Sequence, residues 1–418
     1  MNTSRRDFLK TLTAGTSLSA LSLISPIGAS FTKQLKEDFS NRRLPTLGDY
    51  SLNKSVKYLN HGSIGTIPKL VQKAHNEYLS MNETNPWFYM WSGEWDEPIR
   101  NTRQKVANFL NAESDEISFP HNTTEVYNLL ALGLDLKQND EVLFCNLNHA
   151  GASIPFQIHS KKRGYKVKVF DIPTKNLASI TTQEIVDLYD ANISSKTKLI
   201  VMPHIDNTFG LRHPVKEITA LARSRGVEFI SIDTAQTMGM IPIDVKDLDI
   251  DVIGTSAHKW VQAPKGISVA YFSKRIQDKI EPIWVTWGQK EWKDSARKFE
   301  DYGTRNLPEV LTLGHAIDFQ NSIDKPSKEK KLQELWGYAM DLSSGNANTI
   351  WRSPTNWELA GSLFVIELKN KVPSEFAKKA FHNHGLVFRP FDNHSTIRIS
   401  PNTFNTTQEL DTLFELIV

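Results

Sequence analysis

Between residues 142 and 272, short apolar runs alternate with helix-period segments. This alternation limits the possible folds more than any other feature of the chain. Residues 142–144, 165–170, 199–203, 229–232, 252–255 and 267–272 read as strands, being short, apolar and bounded by turn residues. Residues 153–163, 182–189 and 215–225 carry apolar side chains at helical spacing. Gly164 and Gly226 stand where a helix ends, and Thr181 or Thr182 suits an N-cap. Strand–helix–strand order predicts an α/β fold, with a mostly parallel sheet covered by helices on both faces. After about residue 320 the pattern changes: residues 363–368 and 396–400 read as strands, and 374–384 and 407–417 as helices. A smaller α+β domain is expected there.

Sheets of this kind bind ligands beyond the carboxyl ends of their strands. Asp233, Asn207 and Lys259 all fall at such ends, so one site is expected. A lysine just past one strand and a carboxylate ending its neighbour fit a pyridoxal 5′-phosphate (PLP) site. The amine forms a Schiff base with the aldehyde, and the carboxylate keeps the pyridine nitrogen protonated so that the ring accepts electrons. A phosphate handle is visible upstream. Asn122, Thr123 and Thr124 precede the apolar periodicity of Val126, Leu129 and Leu130, which marks a helix N-terminus with free N–H groups and a positive dipole end.

Several motifs together resemble class V of the PLP-dependent aminotransferase superfamily, and its isopenicillin N epimerase-like branch in particular. They are Asp233-Thr234-Ala235-Gln236, Ser256-Ala257-His258-Lys259-Trp260, Tyr58-Leu59-Asn60-His61-Gly62-Ser63, Tyr302-Gly303-Thr304-Arg305 and Arg398-Ile399-Ser400-Pro401. The resemblance implies a PLP-dependent transferase fold (fold type I). It also implies that Thr123, Thr124, Ser256 and His258 cradle the phosphate, with Asn122 in place of the usual glycine. It puts His149 on one face of the cofactor ring, and Asn207 and Gln236 at its phenolic oxygen. Arg398 takes the substrate α-carboxylate, with Asn60 beside it in the entry segment. Gly303-Thr304 reaches the partner's phosphate, which implies a homodimer with shared active sites.

At the start of the chain, Ser4-Arg5-Arg6-Asp7-Phe8-Leu9-Lys10 is a twin-arginine export pattern. A Ser/Thr/Gly-rich, moderately apolar run to Ile24 follows, then Pro26 and small residues at 28–30. That run is too short and too polar to cross about 30 Å of hydrocarbon. The expected division is a signal segment at 1–30, an arm at 31–69 joining the small domain, a large cofactor domain at 70–310 and a small domain at 311–418. The expected location is periplasmic or exported. A formal charge of +2 over 418 residues, in short runs, leaves nucleic-acid binding unsupported. The single cysteine, Cys145, rules out an intrachain disulfide, and the twelve histidines show no metal spacing.

The reaction expected from these residues starts with Lys259 acting as base on the Cα proton of an amino acid. A desulfurase needs a mobile thiolate in the loop before Arg398, and residues 381–397 contain no cysteine. An epimerase needs a proton donor opposite Lys259, for which His61, Tyr89 and Tyr302 are candidates. A transaminase needs only Lys259, and a C–S or β-lyase needs only a leaving group. Arg389 rivals Arg398 for the carboxylate. A binding protein with this fold and little turnover is the alternative from another class, but Asp233, Lys259 and Arg398 are all present.

Overall fold

The computed structural model describes residues 33–34 and 43–417, so the expected signal segment lies outside the described residues. β1 (Lys57–Tyr58) belongs to the entry arm. The central sheet contains β2 (Ile117–Ser118), β3 (Glu141–Cys145), β4 (Lys166–Phe170), β5 (Thr197–Pro203), β6 (Phe229–Asp233), β7 (Val252–Ser256) and β8 (Ser268–Phe272). Their order is β2-β8-β7-β6-β5-β3-β4. β3 to β7 run parallel, whereas β8 is antiparallel to both β7 and β2. β3 has β4 on one side and β5 on the other, so the chain reverses its direction of winding between β3 and β5. A crevice opens at such a reversal, beyond the carboxyl ends of the strands.

The period of two along each strand divides the core. Leu143, Ile200, Met202, Ile230 and Ile253 point to one face, where they pack with Ile185, Ile218 and Val106 from helices. Val142, Phe144, Leu199, Val201 and Val252 point to the other, against Leu130 of the helix Thr123–Gly133 and Phe156 of the helix Ala150–Arg163. That second helix begins three residues before the expected Ser153, because the His149 side chain caps it by accepting the Gly151 N–H. It ends as expected at Gly164, whose φ of 85° is left-handed.

The second sheet is antiparallel, formed by β9 (Thr349–Trp351), β10 (Phe364–Leu368), β12 (Arg389–Phe391) and β13 (Thr396–Ile399), in the order β12-β13-β10-β9. β11 (Leu386–Val387) pairs instead with β1, in parallel, which ties the entry arm to the small domain. The helix Leu307–Ser322 runs across residue 310. Its Val310, Leu313, Ile317 and Phe319 lie in the same cluster as the central sheet, so packing changes from large to small domain after this helix and not at 310. Among the described residues no helix is long and apolar enough to cross a membrane.

One buried ion pair braces the large domain. The Arg103 guanidinium donates to both oxygens of Glu300, at 3.0 and 2.6 Å, and to the Ile117 carbonyl. Burial alone would push the Glu300 carboxyl up, but Arg103 and Arg305 hold it down to about 2. Glu300→Ala leaves Arg103 charged, buried and unpaired. The expected cost is about 3–5 kcal/mol, read from the midpoint of chemical denaturation. The folded value lies below the ordinary 4.5, so this stability is complete above pH 4.5 and is lost as pH falls towards 2. A Glu300→Ala variant with the parent's midpoint and acid profile would refute the role.

Candidate active site

Each strand that ends at the crevice delivers one functional group. Asp233 is the last residue of β6 and is buried. One carboxylate oxygen accepts the Ala235 N–H at 2.9 Å. Burial raises its pKa, against the pull of the Ala235 N–H, Lys259 and His149. Lys259 follows β7 on a tight turn, in which its N–H donates to the Ser256 carbonyl and its own carbonyl accepts from Gln262. The turn is closed by Gln262 at a φ of 63° and lies hard against Gly65, where a Cβ would sit 2.1 Å from the Lys259 carbonyl oxygen. Burial brings the Lys259 amine down to about 8, with Asp233 opposing the shift and Arg398 adding to it. A minor but far larger share of the amine than of an ordinary lysine is therefore the neutral nucleophile near physiological pH.

His149 follows β3 at the opening of its helix. Its Nδ1 accepts the Gly151 N–H at 3.1 Å, which leaves the ring proton of the neutral form on Nε2. Burial lowers its pKa while Asp233 raises it. At the other end of the cavity Thr123 opens the helix Thr123–Gly133. The Thr123 and Ser256 hydroxyls lie 2.8 Å apart, so the first turn of the helix and the end of β7 meet over one spot. Thr124 is held close to the helix of His149: a Cβ at Gly151 would come within 2.7 Å of its Oγ1. The Thr123 and Ser256 hydroxyls at the positive end of an eleven-residue helix, where the Thr123 N–H also meets the Ser256 hydroxyl, make an anion cradle.

Thr123, Thr124, His149, Asn207, Asp233, Gln236, Ser256 and Lys259 line a single cavity, so eight of the residues expected from sequence converge. Gln236 is fixed there by donating to the Gly62 carbonyl and accepting from the Trp260 indole. The other expected residues are placed differently. The Asn122 side chain is exposed and accepts the Glu125 N–H, so it is spent on capping the helix and does not line the cavity. His258 is half-buried beside the turn. Its backbone carbonyl accepts from Gly65, and burial brings its ring down to about 4. Thr304, expected at the partner's phosphate rather than in its own cavity, lies in a separate groove with Trp91, Trp287 and Arg305.

Arg398, on β13, adjoins the cavity through Asn207, donating to its carbonyl at 2.7 Å. It also donates to Ser63 at 2.5 Å and to Asn60 at 3.4 Å, and its Nε has no partner among the described residues. Burial lowers its pKa to about 10, and Arg389 adds to the effect. A buried guanidinium held only by neutral groups is primed for an incoming carboxylate. Ser63 and the apolar lining residues Pro203, Ile205 and Ala235 were not singled out from sequence. The signal for Ser63 was its position in the Asn60–Gly65 entry segment, since the Asn60 side chain ties it to the arginine.

The Aminotransferase class-V family profile matches residues 57–413. The chain belongs to this family. Relatives include a probable cysteine desulfurase of Pyrococcus abyssi (strain GE5 / Orsay), 27% identical over 88% of this chain and 95% of that protein. Another is the isopenicillin N epimerase of Amycolatopsis lactamdurans, 25% identical over 88% of this chain and 96% of that protein. The fold also matches the solved structure of the cystine C–S lyase C-DES with its product cysteine persulfide. That match has a TM-score of 0.79 and 20% identity, and covers 87% of this chain and 97% of that one. This class V enzyme has PLP as its cofactor. The side chains fit that group: a partly neutral lysine for the aldehyde, a buried carboxylate for the ring nitrogen and a helix N-terminus with two hydroxyls for the phosphate.

Proposed function

We propose that the protein is a one-base PLP enzyme acting at the α-carbon of an amino acid, of aminotransferase type. The observation that carries this is the convergence of Lys259, Asp233 and His149 on one cavity, with Arg398 adjoining it. Bound PLP supplies an electron sink for the α-carbon. Lys259 holds the aldehyde and, once released, carries the proton to and from the α-carbon. Asp233 keeps the ring nitrogen protonated, His149 covers one face of the ring, and Thr123, Thr124 and Ser256 hold the phosphate. Asn207 and Gln236 take the phenolic oxygen, while Arg398 takes the α-carboxylate with Asn60 and Ser63 behind it.

The epimerase reading needs a second proton donor opposite Lys259, and among the described residues none of the three candidates lines its own subunit's cavity. Burial brings His61 down to about 3, and its Nε2 lies 3.0 Å from the Asn402 amide. Tyr89 stacks on Trp95 at 4.9 Å, and Tyr302 lies against His121 at 4.2 Å. A C–S lyase is the second reading, supported by the cysteine desulfurase name of the Pyrococcus abyssi relative. In that case sulfur leaves with the product, because Cys145 is buried and burial pushes its thiol up to about 12.

A panel of D- and L-amino acids in deuterated water separates the outcomes. Transamination gives a keto acid and an aminated cofactor. Elimination gives pyruvate, ammonia and sulfide, and epimerisation gives the opposite enantiomer with deuterium at Cα. No exchange with any amino acid would overturn the enzymatic reading. For Arg398→Ala, kcat/KM is expected to fall about ten- to a hundredfold, the worth of a charged hydrogen bond. Cofactor occupancy should stay normal, and Arg398→Lys should recover only part of the loss. If Arg389→Ala alone shows this pattern, the two arginines are assigned the wrong way round.

Export through the twin-arginine route and a homodimer with shared sites belong to the same proposal, supported by Arg5-Arg6 and Gly303-Thr304. Changing Arg5 and Arg6 to Lys is expected to retain the protein in the cytoplasm in a fractionation assay. A fully active monomer in sedimentation would refute the shared site.

A further inference from the structure

β12 and β13 pair antiparallel with Arg389 directly opposite Arg398. Opposed residues share a face, so the two side chains stand on the same side of the small sheet. Both guanidinium groups reach the Phe391 ring, at 5.7 and 5.8 Å from its centroid. Like charges in this arrangement repel, and among the described residues neither guanidinium has an ion pair with an acid. Arg398 donates only to a carbonyl, an amide oxygen and a hydroxyl. Asp206 is near enough to act on Arg398, but its carboxylate accepts the N–H groups of Thr208, Phe209 and Leu211 at 2.8, 2.7 and 2.7 Å. Arg389 is exposed and has no ion pair among the described residues.

We propose that Arg389 and Arg398 together read an amino acid with two anionic ends: Arg398 takes the α-carboxylate and Arg389 a carboxylate at the end of the side chain. The substrate class is then acidic α-amino acids. This rests on the α-carboxylate reading of Arg398 given above. The division follows from placement. The buried arginine adjoins the cavity, where the α-carbon must lie, and the exposed one, opposite it on the same face of the sheet, is left for the carboxylate of the side chain. Phe391 lies within cation–π range of both guanidinium groups.

The test is calorimetric titration of the holoenzyme with succinate, glutarate and adipate, each against its monoamide. This reads binding without turnover. At least one dicarboxylate is expected to bind about 10- to 100-fold tighter than its amide. Arg389→Gln should collapse that ratio towards one, and Arg389→Lys should keep part of it. Arg398→Gln should weaken both members of each pair. The visible absorbance of the bound cofactor shows whether each variant is loaded and folded. A ratio that survives Arg389→Gln, or none above about twofold in the parent, overturns the acidic substrate class. In that event weakening of both members by Arg398→Gln leaves the α-carboxylate reading standing. If Arg398→Gln weakens neither, that reading has failed as well.

Discussion

Lys259→Ala is expected to lose the covalently held cofactor and nearly all turnover. The residue supplies two things that no neighbour replaces. Among the described residues it is the only lysine lining the cavity, and its amine is brought down to about 8, so it can be both nucleophile and base near neutrality. Losing a positioned general base alone costs about 10²–10⁴-fold, or roughly 3–5.5 kcal/mol of barrier. Borohydride reduction followed by peptide mapping should label Lys259 in the parent protein and nothing in the variant. Labelling of any other lysine would show the assignment to be wrong. Added methylamine should restore some rate to the variant if proton transfer is the missing function.

Asp233→Ala is expected to leave Lys259 able to hold the cofactor while slowing proton removal from Cα by roughly 10²–10³-fold, the scale for deleting one preorganised electrostatic contact. The carboxylate ends β6 at the floor of the cavity, oriented by the Ala235 N–H. Burial raises its pKa against the pull of the Ala235 N–H, Lys259 and His149, and a protonated ring nitrogen would add a further cationic partner. Asp233→Asn keeps the shape and removes the charge, so it should resemble the alanine variant. Deuterium exchange at Cα measures the step directly. Parent exchange rates in both variants would end the electron-sink role.

Much of the large domain was legible because each strand carries its own evidence. β5, β6 and β7 are short apolar runs, and the helix Val215–Ser224 has a clear apolar stripe. Thr181 caps the helix Thr182–Asn192 through the Glu184 N–H, and Glu184 reciprocates, a pattern written in four consecutive residues. The helix Leu307–Ser322 was missed as part of the large domain for the opposite reason. It is buried around most of its circumference, from Pro308 to Gln320, so it has no polar face to reveal its period or its partner. The antiparallel direction of β8 was also invisible, because a strand buried on both faces reads the same in either direction.

The sequence by itself marked the groups on which the proposed chemistry rests: a lysine and a carboxylate at adjacent strand ends and a helix N-terminus, with the phosphate and carboxylate-binding roles of Thr123, Thr124 and Arg398 implied by the family resemblance. These are local signals, carried by residue type and by the order of strands and turns. Only the tertiary structure decided which groups meet. It turned the Asn122 side chain away to cap its own helix, brought Ser63 to Arg398 and set Arg389 opposite Arg398. Such meetings depend on strand register and on where the sheet order reverses. Both are set by packing between segments far apart in the chain, which no local pattern records.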